Sequence, residues 1–213
     1  MATRTLDYSL YLVTDRDLMS TATLAEALEA ACAGGVTLVQ LREKHASFEE
    51  FVAIAREAKA ICDRFDVPLI INDEPEVCAA VDAAGVHVGQ DDHSVAEVRA
   101  IIGPDKIVGV SASTLAEALT AEADGADYLG IGAMAYTATK PDAHVTSRDE
   151  LEQILAQVSI PSVVIGGINE QSIPTYAGLP LAGYAIVSAI IAAPDIEQAT
   201  REIAALVRHN AEG

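Results

Sequence analysis

The chain has 213 residues, 51% of them hydrophobic, enough to bury one substantial core and to form a single domain over 1–213. Its formal net charge of −19 argues against nucleic acid or an anionic membrane as partner, because such surfaces are met by Lys and Arg. Small phosphorylated molecules are not excluded, and the acidic excess is read as a solvated surface that carries no function of its own.

No segment is long and apolar enough to span a bilayer. The opening residues MATRTLDYSLYLVTD hold no signal-like apolar run with a cleavage site, so a cytoplasmic protein is expected. Cys32, Cys62 and Cys78 are odd in number, lack a CxxC spacing and lie among apolar residues of predicted helices. They are expected to be small buried hydrophobes in a reducing compartment.

Short β-branched and aliphatic runs alternate with helical segments along the whole chain, the pattern of a parallel α/β fold. The first predicted strand is YSLYLVTD, with a helix over 24–33 behind it, and the second is TLVQLRE, with a helix over 48–64. VPLIIND and GVHVGQ follow, then a helix over 95–102, KIVGVSA, a helix over 115–123 and DYLGIGA. A helix over 150–158, PSVVIGG, GYAIVSA and a helix over 196–209 complete the series. Eight such units predict a (β/α)8 TIM barrel, with an open doubly wound sheet as the alternative. AYTATKPDAHVTSRDE is the longest stretch without periodicity, and a long loop in a compact domain is a candidate lid.

In a barrel the chemistry lies at the carboxyl ends of the strands. In QLREK, Gln40, Arg42 and Lys44 alternate onto one strand face, and Val39, Leu41 and Glu43 onto the other. Two cations on one face need a carboxylate partner or an anionic ligand. Glu43, Asp15 and Asp73 are candidate partners; with Lys140 added from a distant strand, the balance moves to phosphate or diphosphate.

Asp73 and Asp92 follow successive strands and should be neighbours at the mouth. Two such carboxylates suit magnesium, which completes its shell with substrate phosphate oxygens, although helix caps or partners of Arg42 are the plainer roles. His87, Asp91, Asp92 and His93 match no usual zinc spacing, and His87, in mid-strand, is expected inside the barrel with its hydrogen bonds satisfied. Gly166 and Gly167 end the seventh strand and Ser188 the eighth, where loop N–H groups recurrently bind phosphate in this fold. A tight turn would need the same glycines. Thr137, Thr139 and Lys140 add two hydroxyls and an ammonium to a loop that can reach the mouth.

Taken in order, GVTLVQLREK, LIIND, GVHVGQDD, IVGVSAS, GADYLGIG, TATK, IGGIN and VSAI resemble the thiamine phosphate synthase family, from YLVTDRDL to AIVSAI. The resemblance implies a TIM barrel that joins hydroxymethylpyrimidine diphosphate to thiazole phosphate, or its carboxylated form, with Mg2+, releasing diphosphate and thiamine phosphate. It assigns the pyrimidine diphosphate to Gln40, Leu41, Arg42, Glu43, Lys44, Asn72, Ser111 and Lys140, of which Arg42, Lys44, Ser111 and Lys140 form the catalytic set. It assigns Mg2+ to Asp73 and Asp92, and the thiazole phosphate to Thr137, Ala138, Thr139, Gly167, Val187 and Ser188. The implied chemistry is dissociative and asks for neutralised leaving-group charge more than for a base.

Two departures are expected to fall on the thiazole side: Gly132-Ala133 where the family commonly has Gly-Pro, and Leu179-Pro180-Leu181-Ala182 in place of a glycine-rich run. A thiazole tautomerase and a non-catalytic phosphate-binding barrel are the competing readings. A homo-oligomer is left open.

Overall fold

A computed structural model describes residues 6–136 and 145–212, the side chains of 211 and 212 apart. Eight strands close in chain order into a barrel, each parallel to the next. They are β1 (Leu10–Val13), β2 (Leu38–Leu41), β3 (Leu69–Asn72), β4 (Gly85–Val88), β5 (Ile107–Ala112), β6 (Tyr128–Ile131), β7 (Ser162–Ile165) and β8 (Gly183–Ile186). Closure is made by β8 on β1, with Ile186 beside Leu12. The (β/α)8 barrel expected from the sequence is thus the fold.

Period-two alternation divides the core. Leu12, Leu41, Ile71, Val86, Val110 and Ile131 pack outward with the helices, whereas Tyr11, Val13, Leu38, Ile70, Tyr128 and Val163 fill the barrel interior. Two inward glycines make room for rings. A Cβ on Gly109 would lie 2.1 Å from the Tyr128 ring, and one on Gly130 would lie 3.0 Å from His87.

The outer helices are α1 (Leu24–Gly34), α2 (Phe48–Arg64), α3 (Pro75–Val81), α4 (Val95–Ile102), α5 (Leu115–Ala123), α6 (Arg148–Gln157), α7 (Ser188–Ile191) and α8 (Ile196–Glu212). Thr23 with Glu26, Ser47 with Glu50, Ser94 with Glu97, and Thr114 with Glu117 form capping boxes. Part of the acidic excess therefore sits at helix N-termini, where it satisfies N–H groups and the macrodipole.

Three segments depart from the sequence pattern. α3 is only seven residues and opens on Pro75, too short to show a 3.6-residue period. After β7 the chain makes a single 3-10 turn, Ile173–Tyr176, and α6 starts two residues before the predicted 150 because Ser147 caps the Glu150 N–H. The three cysteines are buried and free, as expected. Among the described residues no helix is long and apolar enough to cross a membrane.

Candidate active site

The carboxyl ends of the strands gather most of the residues singled out by the sequence. At the β1–β2 corner, Thr14 N–H donates to the Gln40 carbonyl (2.9 Å) and Thr14 Oγ1 accepts from Arg42 N–H (3.0 Å). This stitch sets the direction in which the QLREK segment leaves the barrel. The Asp15 carboxylate, 5% exposed, lies 3.7 Å from the Arg42 guanidinium and 3.8 Å from Lys44 Nζ. Those spacings are charge contacts rather than hydrogen bonds, so both cations keep their donors for another anion. A cavity of about 90 Å³ opens here between Asp15, Arg16, Asp17, Arg42, Lys44 and His45.

Two neighbours behave otherwise. Glu43 turns to Arg16 at 2.7 Å, and the Leu41 side chain is fully buried in the outer core. Neither side chain joins Arg42 and Lys44.

At the β3–β4 corner, Asp73 adopts φ 63° and its N–H donates to the His87 carbonyl (2.9 Å). The Asn72 amide donates to the Asp73 carboxylate, and Asp92 accepts from Gly89 N–H at 2.7 Å. Burial, followed by the charge and hydrogen-bonding proximity of Asp92, pushes the Asp73 carboxyl up to about 7, against the opposing pull of Asn72 and Arg42. A cation held between the two would favour the charged form of Asp73. Among the described residues no group of three or more His, Cys, Asp or Glu is arranged for a metal. The pair fits magnesium, which needs one or two carboxylates and takes its other oxygens from phosphate and water.

Below the mouth, polar side chains cross the barrel. Gln40 Nε2 donates to Tyr11 Oη (2.8 Å), Tyr11 Oη meets Tyr128 Oη (2.8 Å), and Tyr128 Oη meets His87 Nδ1 (2.9 Å). His87 Nε2 then meets Ser111 Oγ at 2.9 Å. The sequence placed His87 inside the barrel; it did not join His87 to Tyr11 and Tyr128. Their shared signal is inward parity on strands that are otherwise aliphatic.

The β7–β8 side is built from main chain. Gly166 and Gly167 have φ of 92° and 73°, and a Cβ on Gly167 would lie 2.7 Å from Ala135 Cβ. The Gly167 carbonyl accepts from Asn169 Nδ2 and Ser172 Oγ, both at 3.2 Å, so Asn169 braces the loop. Val187 and Ser188 lie where β8 passes into α7. Thr137, Ala138, Thr139 and Lys140 lie outside the described residues. The described residues on either side are tied down: Met134 N–H donates to the Ile165 carbonyl (2.9 Å) and Thr146 N–H to the Ala133 carbonyl (2.8 Å).

One expectation is corrected. Gly132-Ala133, a cis peptide, does face the β7 loop, but Leu179 to Ala182 precede β8 and so lie at the opposite end of the barrel. There Pro180, Leu181 and Ala182 line a cavity of about 470 Å³ with Leu155, Val158 and Pro161, away from the strand carboxyl ends. The run before a strand enters at the amino-terminal face, so its change of composition leaves the mouth untouched.

The thiamine monophosphate synthase family model matches residues 10–190. A thiamine-phosphate synthase of Clostridium botulinum is 56% identical over 198 residues, covering 93% of each chain. One of Clostridium beijerinckii is 57% identical, covering 93% of this chain and 95% of its own. The solved thiamine phosphate pyrophosphorylase of Pyrococcus furiosus superposes with a TM-score of 0.89 at 35% identity, over 96% of this chain and 97% of its own. The likeness thus extends through every strand end that builds the mouth, and the chain belongs to the thiamine monophosphate synthase family.

Proposed function

We propose that the chain is a thiamine-phosphate synthase, a transferase that joins hydroxymethylpyrimidine diphosphate to thiazole phosphate with release of diphosphate. The observation that carries this reading is the meeting of Arg42 and Lys44 over the buried Asp15, beside the Asp73 and Asp92 carboxylates. In the reaction the methylene–oxygen bond breaks and its electron pair leaves on diphosphate. The aminopyrimidine ring holds the resulting carbocation, and the thiazole nitrogen lone pair forms the new C–N bond. No proton is removed, so no general base is required.

Arg42 and Lys44 have donors to offer the departing diphosphate, Lys140 is assigned to the same anion from the sequence, and Gln40, Asn72 and Ser111 line the pyrimidine side. Asp73 and Asp92 are the residues that would hold Mg2+, which when bound neutralises charge on the leaving group. The thiazole phosphate is assigned to the loops after β7 and β8, at Gly167, Val187 and Ser188, and Thr137, Ala138 and Thr139 are assigned to the same phosphate from the sequence. The substrates are small and phosphorylated, and the cytoplasm is the proposed place of action.

The test is diphosphate release on mixing both substrates with magnesium. Release should need both substrates and should stop on chelation of the metal. A tautomerase or a binding protein would release none, and that result would overturn the synthase reading.

A further inference from the structure

The four hydrogen bonds beneath the mouth form one unbroken chain from β2 to β5, and a neutral His87 fixes their proton count. A carboxamide nitrogen can only donate, a phenol has one proton, and a neutral imidazole has one N–H. Gln40 Nε2 donates to Tyr11 Oη, so the Tyr11 proton goes to Tyr128 and the Tyr128 proton to His87 Nδ1. His87 is then the Nε2–H tautomer and donates to Ser111 Oγ. The Ser111 hydroxyl proton is left to point into the mouth. Gln40 Oε1, which takes no hydrogen bond from a described residue, is left as an acceptor. Turning over the one amide of Gln40 would reverse every bond, move the histidine proton to Nδ1, and exchange donor and acceptor at the two ends.

We propose that Tyr11, Tyr128 and His87 are positioning residues that fix the polarity of the two walls holding the aminopyrimidine, with Gln40 as acceptor and Ser111 as donor. The ligand named here rests on the synthase reading; the proton order does not. Tyr11 and Tyr128 are fully buried and Gln40 is 4% exposed, so water cannot make up for a misdirected proton, and one wrong bond leaves a buried polar group unpaired. Burial also keeps both phenols protonated, by raising their pKa well above the ordinary value. The rings have little room to move: Tyr8 packs on Tyr128 at 4.9 Å between centroids, and Gly109 and Gly130 leave space for the rings and no more. With His87 neutral, the chain therefore has two proton orders. A pyrimidine bearing an amino donor fits the order described, whereas one bearing an oxo acceptor in its place must reverse all four bonds or leave one group unpaired.

Nitrogen-15 NMR of the labelled protein, which has five histidines, reads which ring nitrogen of each carries the proton, and His87→Gln identifies the His87 signals. The expected result without substrate is a bare Nδ1 and a protonated Nε2. Tyr128→Phe should give a mixture of tautomers. It should also lower kcat/KM for the pyrimidine diphosphate by about tenfold, the equivalent of one hydrogen bond, with the thiazole phosphate KM unchanged. Tyr11→Phe, one link further away, should act in the same direction and serves if Tyr128→Phe does not fold. A protonated Nδ1 in the wild type overturns the proposal, and so does an unchanged pyrimidine kcat/KM in a folded variant. Failure of the wild type to release diphosphate would strike the synthase reading alone, because the tautomer is measured without substrate.

Discussion

On the reading proposed above, the working groups on the β2 to β5 side of the mouth are side chains: two cations over a buried carboxylate, two neighbouring aspartates, and a serine at the end of a polar chain. On the β7 to β8 side they are main chain, presented by two left-handed glycines and the start of a short helix. The difference follows from what happens to each phosphate. The diphosphate gains charge as its bond to carbon breaks, and charged partners stabilise that change more than the ground state. The thiazole phosphate has the same charge before and after. It is a handle, and uniform binding by backbone N–H groups suffices. Variants on the first side should therefore lower kcat, and variants on the second should raise KM.

The largest effect tests the charged side. Asp73→Asn and Asp92→Asn keep size but remove an anionic oxygen, and each should lower kcat by about 10²-fold, a barrier of about 3 kcal/mol. Groups serving one ion act as a unit, so the double variant should lose far less than the product of the single losses. Kinetics of the three variants over a magnesium series decides it. Losses that multiply and ignore magnesium would make the two aspartates independent.

The next effect tests the main-chain side. Gly167→Val puts a β-branched residue at φ 73° with its Cβ 2.7 Å from that of Ala135, so the loop must shift. The thiazole phosphate KM should rise about tenfold while kcat stays within about twofold, as expected where uniform binding is lost. An equal fall in kcat would break the contrast between the two sides.

The same contrast explains what the sequence could show. Outward Val, Ile and Leu at every second position announced all eight strands, and the helices over 48–64, 95–102 and 115–123 have the predicted limits because each carries a full amphipathic period. α3 and the turn at Ile173–Tyr176 are too short for that signal. Gln40, Asn72 and Ser111 were legible because a polar residue at an inward strand end stands out among aliphatics. The Tyr11 to Tyr128 bond was not, because it joins residues 117 positions apart across the barrel, a distance that no local pattern encodes. The turn of Glu43 toward Arg16 was hidden for a different reason: strand alternation ends with β2 at Leu41, and the sequence pattern was carried past it.

A smaller effect uses protons to read the aspartate pair. The folded pKa of Asp73, about 7, lies above the ordinary 3.8, so the native state holds a proton that the unfolded state has released. Stability from this group is present at acid pH and is lost as pH rises through about 7. Asp73→Asn removes that loss, so its melting temperature should match the wild type near pH 4 and exceed it by a few degrees near pH 8, without magnesium. Added magnesium should raise the wild-type melting temperature more at the higher pH, where no proton competes for Asp73. Parallel melting curves at both pH values would contradict a shared carboxylate pair.

The smallest effect marks the edge of the charged side. Glu43 sits between Arg42 and Lys44 in sequence, and the family resemblance counts it among the pyrimidine diphosphate contacts. Its carboxylate is instead 2.7 Å from the Arg16 guanidinium, and its side chain is only 8% exposed against 44% for Arg16. Glu43→Gln keeps an oxygen that can accept from Arg16 and removes only the charge. A pair whose partner is open to solvent contributes about 1 kcal/mol or less, so the melting temperature should fall by no more than a few degrees. Turnover should stay within about twofold, because no charge that meets the diphosphate has changed. Raised salt should narrow the stability difference, as expected for a screened pair. If Glu43→Gln instead lowered kcat as strongly as the aspartate variants, Glu43 would belong with the residues that meet the substrate, and the boundary drawn between Arg42 and Lys44 would be misplaced.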